Sequence, residues 1–262
     1  MPRKGIFNGG ACTRRVSGHI YRMSMPAPKT PGLIRVASYN LHKCVGLDRR
    51  RDPHRVARVL AALGADVVAV QEVDKRLPPR PTALPAAVLV AEAGLTPAPV
   101  AETKVSLGWH GNALLLAPGW RMERLHRLPL PGLEPRGALI ADLCGPDARL
   151  SVVATHLGLR RRDRQRQMTQ IMAALNQRPK GATVLLGDLN EWSQTDGFAP
   201  LDPYFTMHAP GHSFHARRQV AALDRIATGP GLRVTSMGVC RAGEAGRASD
   251  HLPVWADLAL AG

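Results

Sequence analysis

Aromatic residues are scarce in this chain of 262 residues, at 4% of the total. A continuous stacking platform for single-stranded nucleic acid wants more of them. Cysteine is almost as rare: Cys12, Cys44, Cys144 and Cys240 are the whole complement. No two form a CxxC pair, and their spacing fits neither a disulfide framework nor a zinc knuckle. Cys44, Cys144 and Cys240 read as small buried hydrophobes. That fits a reducing compartment, and the expected location is cytoplasmic. No apolar run approaches the roughly 18 residues of a membrane span. The N-terminus has basic residues with no apolar stretch behind them, so no secretory signal is expected. A GxxxxGKS/T phosphate loop and a GxSxG elbow are both missing, which argues against an NTPase and a serine hydrolase.

Acidic residues are outnumbered. Lys and Arg number 35 against 20 Asp and Glu, a net charge of +15. Six of the cations (Arg3, Lys4, Arg14, Arg15, Arg22, Lys29) fall within residues 1–31, which hold no acid, leaving +9 for the rest. A basic surface attracts polyanions such as nucleic acid or acidic lipid headgroups. A generally Arg-rich composition is the plainer reading, and net charge identifies no site. Residues 1–32 are expected to be a flexible basic extension, or the product of a start placed too early, with Met23 and Met25 as alternative starts. Residues 33–262, with 45% hydrophobic residues in the whole chain, suit one domain with a real core.

What is present is a regular α/β pattern. Leu33–Tyr39 reads as a strand. Asp52-Pro53 opens a helix, Asp as cap and Pro at the first helical position. Val56, Val59, Leu60 and Leu63 recur at helical spacing, and Gly64 ends the run. Val67–Val70 is a short buried strand. Residues 77–99 read as a Pro- and Ala-rich loop with a short helix at Ala86–Ala93. Strands are expected at Ala113–Ala117, Ala138–Leu143, Leu150–Ala154, Thr183–Leu186, Ala222–Thr228, Arg233–Val239 and Val254–Leu260. A helix over about 161–177 places Met168, Ile171, Met172 and Leu175 on one face. Residues 193–220 read as loops.

The chemistry sits where apolar strands end in polar residues. These endings are Asn40, Gln71-Glu72, His156, Asp188 and Asn190, Asp224, and Ser249-Asp250-His251. Each alone has an ordinary explanation as a cap, a turn former or a surface residue. Six in one chain are harder to dismiss, because sites of layered α/β folds gather at strand ends. The oxygen donors suit magnesium, whereas zinc wants more His and Cys. His156 and His251 are left for proton transfer or for donating to phosphate.

Tyr39-Asn40-Leu41, Val70-Gln71-Glu72-Val73, Ala154-Thr155-His156-Leu157, Leu186-Gly187-Asp188-Leu189-Asn190, Leu223-Asp224-Arg225-Ile226 and Ser249-Asp250-His251-Leu252-Pro253-Val254 together resemble the endonuclease/exonuclease/phosphatase superfamily, in its order and at its spacing. The likeness covers about residues 33–260, and Gly111-Asn112-Ala113-Leu114-Leu115 is similar to that family's mid-domain strand. The resemblance implies a four-layered α/β/β/α sandwich with two mixed sheets packed face to face. It implies that Asn40 and Glu72 hold Mg²⁺ (or Mn²⁺) with Asp250 nearby. Asp188 would orient or deprotonate the attacking water, helped by Asn190. His251 would donate to a phosphate oxygen, its imidazole held by Asp224, and His156 would face the phosphate as well. Arg136, Asn112 and His42 would bind phosphate, and Glu102 would support His156. The mid-chain Tyr of apurinic endonucleases has no counterpart in Ser106–His110, and the longer signatures of inositol polyphosphate phosphatases are not found.

The reading is therefore a Mg²⁺-dependent phosphodiester hydrolase, a nuclease on DNA or RNA by preference, with no obligate protein partner. A phospholipid headgroup or other small phosphate ester is the alternative substrate. A non-catalytic binder of nucleic acid or of an acidic lipid surface is the third reading. His208, His212 and His215 could suggest zinc, but Pro210-Gly211 breaks a shared helical face and no Cys accompanies them. Arg160–Arg166 reads as a solvated helix face more readily than as a clamp on a polyanion.

Overall fold

A computed structural model describes residues 15–16, 19–22, 25–193 and 196–261. Most of the expected 1–32 extension lies outside the described residues. Strands β1 (Arg15–Val16) and β2 (His19–Arg22) are followed by β3 (Ile34–Asn40), helix α1 (Pro53–Ala61) and β4 (Val67–Gln71). Then come α2 (Ala86–Val88), continued by a π-turn over Leu89–Ala93, and β5 (Thr96–Pro97), β6 (Ala113–Leu116), β7 (Arg121–Leu130), β8 (Arg136–Cys144) and β9 (Arg149–His156). The chain ends with α3 (Arg161–Asn176), β10 (Thr183–Asp188), β11 (Thr206–His208), β12 (Asp224–Thr228), β13 (Leu232–Val239), α4 (Ala245–Ala248) and β14 (Val254–Leu260).

The strands form two mixed sheets. One has the order β13-β14-β3-β4-β6-β5, lengthened at the β13 edge by β2 and β1; the other has the order β11-β12-β10-β9-β8-β7. Alternation along the second sheet shows the layering. Leu139, Ala141, Val152, Ala154, Val184, Leu186 and Ile226 join the core shared with the first sheet. Their neighbours Ala138, Ile140, Val153, Leu185 and Ala227 turn the other way, onto Met168, Ile171 and Leu175 of α3. Strands buried on both faces read as continuous apolar runs, which is why they were visible in the sequence. On the outside of the first sheet, α1 buries Val56, Val59 and Leu60 in the same core. Its start is capped as expected, Asp52 accepting from Arg55 N at 2.9 Å.

Three expectations need correction. Residues 121–130 carry no strand signal in the sequence, yet they form the ten-residue edge strand β7. Only Leu128 and Leu130 of β7 are buried, so the apolar alternation that marks a strand is nearly missing. The loop-rich 193–220 segment contains β11, another short edge strand. The helix at Ala86–Ala93 divides into α2 and the π-turn.

The topology explains why distant residues meet. The middle of each sheet is a parallel pair, β3 with β4 and β9 with β10. Parallel neighbours end at the same edge, so Asn40 lies beside Gln71, and His156 beside Asp188. Antiparallel neighbours begin there: Asp224 pairs with Asp188, and Arg136 starts β8. No helix among the described residues is long and apolar enough to cross a membrane.

Candidate active site

At that edge opens a cleft of about 490 Å³. Asn40, Glu72, Arg136, His156, Asp188, Asn190 and His251 all line it, so the structure brings together seven of the expected residues. Local backbone geometry aims several of them. The turn His42–Cys44 after β3 has three successive residues at positive φ, between 46° and 59°. Glu72 and Asn190 also have positive φ, 53° and 52°. For residues with a Cβ this conformation costs on the order of 1–3 kcal/mol and persists only where the surroundings enforce it. Asn190 is suited to it: its N–H donates to Asp188 Oδ1 at 3.0 Å, and its Nδ2 donates to Leu157 O at 2.9 Å.

Asp188 is the centre of the site and almost fully buried. Its Oδ2 accepts from Asn40 Nδ2 at 3.1 Å and lies 3.4 Å from His156 Nε2 and 3.6 Å from His251 Nε2. Behind His251, Nδ1 meets Asp224 Oδ2 at 2.8 Å, and Ser213 Oγ donates to that same oxygen at 2.5 Å. Ser249 belongs to no nucleophilic triad. Its hydroxyl donates to Asn40 O at 2.7 Å, tying the approach to β14 onto the end of β3.

The two histidines share one cleft but differ in charge. Burial opposes an imidazolium at His251, yet Asp224 and Asp188 raise it to about 10. Burial pushes His156 down to about 4 despite the pull of Asp188. At neutral pH His251 is a cation and His156 is neutral. Burial also opposes the Glu72 carboxylate, but His156 and the Lys43 ammonium outweigh it and hold Glu72 at about 2. Since His156 is uncharged at neutral pH, Lys43 is the cation that faces Glu72 there; the two side chains form an ion pair.

The other expected residues lie elsewhere. Asp224 stands behind His251, fully buried. Asp250 is beside the site rather than in its lining, within 3.2 Å of Ser249 Oγ and 3.8 Å of His42 Nδ1. His42 points Nδ1 at Val45 O, 3.1 Å away, within its own turn. Asn112, expected at the phosphate, is fully buried and donates to Gly137 O at 3.1 Å; its neighbours His110 and Gly111 form the wall. Glu102, expected to support His156, is exposed, and its charge acts on His110. His156 faces Asp188 instead, because β9 and β10 end in register.

Sequence reasoning missed part of the wall. Lys75, Arg76 and Arg80 line one side, from the loop after Glu72. Leu159, Trp192, Phe214 and Leu223 also line the cleft. For Lys75, Arg76 and Trp192 the available signal was position, a few places after a strand-end residue; Phe214 carries no such signal. The basic run after His156 behaves as expected of a solvated face: Arg160, Arg161, Arg162 and Arg166 are exposed. Arg164 departs from it, buried against Glu191 at 2.8 Å.

Asp188, Asp224 and His251 also offer ligand atoms within 4.8 Å of one another. In that cluster a protonated His251 faces both carboxylates and has no lone pair to give, while Asp224 Oδ1 is buried with no hydrogen-bond partner among the described residues. The oxygen donors that open onto the cleft beside an ammonium are those of Glu72 and Asn40.

Residues 37–251 match the Endonuclease/Exonuclease/phosphatase family, and the chain belongs to it. Members of this family are phosphoester hydrolases. The uncharacterised protein YbhP of Escherichia coli K12 is 33% identical over 129 residues, 45% of this chain and 51% of YbhP. The matched region thus spans about half the length of that relative. An endonuclease/exonuclease/phosphatase from Beutenbergia cavernae superposes with a TM-score of 0.67 at 23% identity, covering 88% of this chain and 72% of that one. D. rerio TDP2, solved with a single-strand DNA product, gives 0.63 at 15% identity, covering 86% of this chain and 98% of its own. Identities this low establish the four-layered fold and nothing finer.

Proposed function

We propose that this protein is a Mg²⁺-dependent phosphodiesterase acting on nucleic acid. One observation carries the reading. A buried carboxylate, Asp188, sits between a charged His251 and a neutral His156 in a cleft that Arg136, Arg76 and Arg80 also line. A phosphodiester anion repels a nucleophile, so hydrolysis needs cations around phosphorus and a base on the attacking water.

Each group has a part set by its surroundings. His251, kept protonated by Asp224, donates from Nε2 to a non-bridging oxygen. Arg136 faces the same anion; burial has weakened its hold on its own proton, and its Nε has no hydrogen-bond partner among the described residues. Asp188 accepts the proton of a water positioned with help from Asn190. His156 is a neutral donor beside it.

The hard oxygen set of Asn40 and Glu72, with Asp250 close by, fits magnesium. The Lys43 ammonium paired with Glu72 supports a positive charge at this carboxylate. Bound there, the ion would supply Lewis-acid stabilisation of the oxygen that leaves phosphorus. Nucleic acid is favoured as substrate by the basic wall and the net charge of +15, and a structural neighbour holds a single-strand DNA product. The unpaired Cys44, Cys144 and Cys240 fit a reducing, cytoplasmic setting.

The test is a substrate panel of plasmid, single-stranded RNA, an abasic duplex and lipid headgroup diesters, with Mg²⁺, Mn²⁺ or EDTA. Metal-dependent cleavage of the nucleic acids is expected. Asp188→Ala and His251→Ala should lower it by several orders of magnitude with circular dichroism unchanged. Cleavage confined to lipid diesters would replace the substrate. Salt-sensitive binding without turnover would replace the enzyme with a binder.

A further inference from the structure

The lining of the cleft combines two chemistries, and the apolar one has no role in hydrolysis. Lys75, Arg76, Arg80 and Arg136 supply the basic part. Trp192 and Leu159 line the cleft as well, yet they are 61% and 65% exposed. Large apolar side chains left open beside a buried polar centre mark a binding surface. They come from two loops, those following the strand-end residues His156 and Asp188.

Trp192 is held rather than loose. Its neighbour Glu191 is buried and accepts from Arg164 Nη2 at 2.8 Å and from Ser193 N at 3.0 Å. The indole ring meets Phe214 edge-on, with centroids 6.3 Å apart and planes at 82°. Phe214 in turn lies 4.9 Å from the His251 ring. An exposed aromatic face is thus fixed two ring contacts from the group that donates to phosphate.

Resting on the phosphodiesterase reading above, we propose that Trp192, in a cleft that Leu159 also lines, is a stacking subsite for the nucleobase next to the scissile phosphate. A planar ring fits better than an acyl chain. The apolar residues of the lining, Pro135, Leu159, Trp192, Phe214 and Leu223, are interspersed with charged groups that an alkyl chain would desolvate without a partner. The cationic wall supplies sites for the neighbouring phosphates of the same strand. Stacking on one aromatic gives affinity with little sequence preference, because every base has a π-face.

The experiment compares a base-bearing trinucleotide with its abasic counterpart, using wild type and Trp192→Ala. Binding is read without turnover, in EDTA, by quenching of tryptophan fluorescence and by anisotropy. Of the other three tryptophans, Trp109 and Trp255 are largely shielded, at 8% and 1% exposure, and Trp120 is half-buried; none of the three lines the cleft. Quenching by the base-bearing ligand only, lost in Trp192→Ala together with about tenfold or more of its affinity, is expected. Trp192→Phe should recover most of that affinity. In the Mg²⁺ arm the variant should lose kcat/KM on the base-bearing substrate and keep it on the abasic one. Equal losses on both ligands, or no loss on either, would overturn the subsite. A wild type that binds and quenches but cleaves neither substrate would leave the subsite standing and remove the enzymatic reading instead. Binding that instead follows alkyl phosphodiesters, with quenching by those and not by nucleotides, would also overturn it in favour of an acyl group.

Discussion

Replacing Asp224 by Asn changes one charge and almost no volume. The amide can still accept from His251 Nδ1 and from Ser213, which now stand at 2.8 and 2.5 Å from the carboxylate. What disappears is the charge that opposes the effect of burial on His251. A histidine raised from 6.5 to about 10 favours the imidazolium by ~5 kcal/mol over its ordinary state. Without Asp224, only Asp188 and Asp250 oppose burial, and the ring titrates well below about 10. Less imidazolium remains at neutral pH, its tautomer is no longer fixed by a carboxylate, and turnover should fall about 10²–10⁴-fold. The stability consequence has a definite sign. A group raised on folding contributes fully below its unfolded value near 6.5, and that contribution drains away as pH climbs toward about 10. The wild type should therefore lose stability between pH 7 and 10, while Asp224→Asn starts weaker and shows a flatter slope. The assays are an NMR titration of the His251 ring, a pH–rate profile and urea denaturation at several pH values. A His251 resonance that titrates at the same pH in both proteins would refute the assignment of Asp224 as its anchor.

Glu72→Gln keeps the shape of the side chain and removes its charge, so the Mg²⁺ needed for half-maximal turnover should rise at least about tenfold; calorimetry with Mn²⁺ gives an independent reading. Gly187 has no room for a side chain: a Cβ there would come to 1.9 Å from the backbone oxygen of Thr155. Gly187→Ala should push β9 and β10 apart and cost about 3 kcal/mol or more, seen as a melting point lower by roughly 10 °C. Asp74 caps the loop beside the cleft, accepting from Leu107 N at 2.8 Å and Gly108 N at 3.0 Å. Asp74→Ala should cost about 2 kcal/mol in denaturant unfolding and leave metal affinity unchanged.

The parts of the fold that were legible in sequence are those buried on both faces. Val67–Val70 and Thr183–Leu186 announce themselves because nothing polar interrupts them. β7 did not, since an edge strand facing water carries Arg121, Glu123, Arg124 and Arg127, and its residues are mostly exposed or half-buried. In the site, residues that terminate interior strands were readable because a polar side chain after an apolar run needs a reason. Glu102 and Asn112 lack that anchor: Glu102 lies in a loop whose path the sequence does not fix, and Asn112 turns inward to Gly137. Trp192 escaped notice because a single exposed aromatic has no periodicity; its meaning depends on Phe214, distant in sequence and adjacent in space.

Anomalous diffraction from crystals grown with Mn²⁺ and a phosphorothioate dinucleotide addresses the centre of the account. One cation bound by Glu72 and Asn40, with the phosphorus group between it and the His251 and Arg136 side chains, is the expected density. A cation lodged instead among Asp188, Asp224 and His251, or a phosphorus group out of reach of His251, would overturn the assignment of these residues.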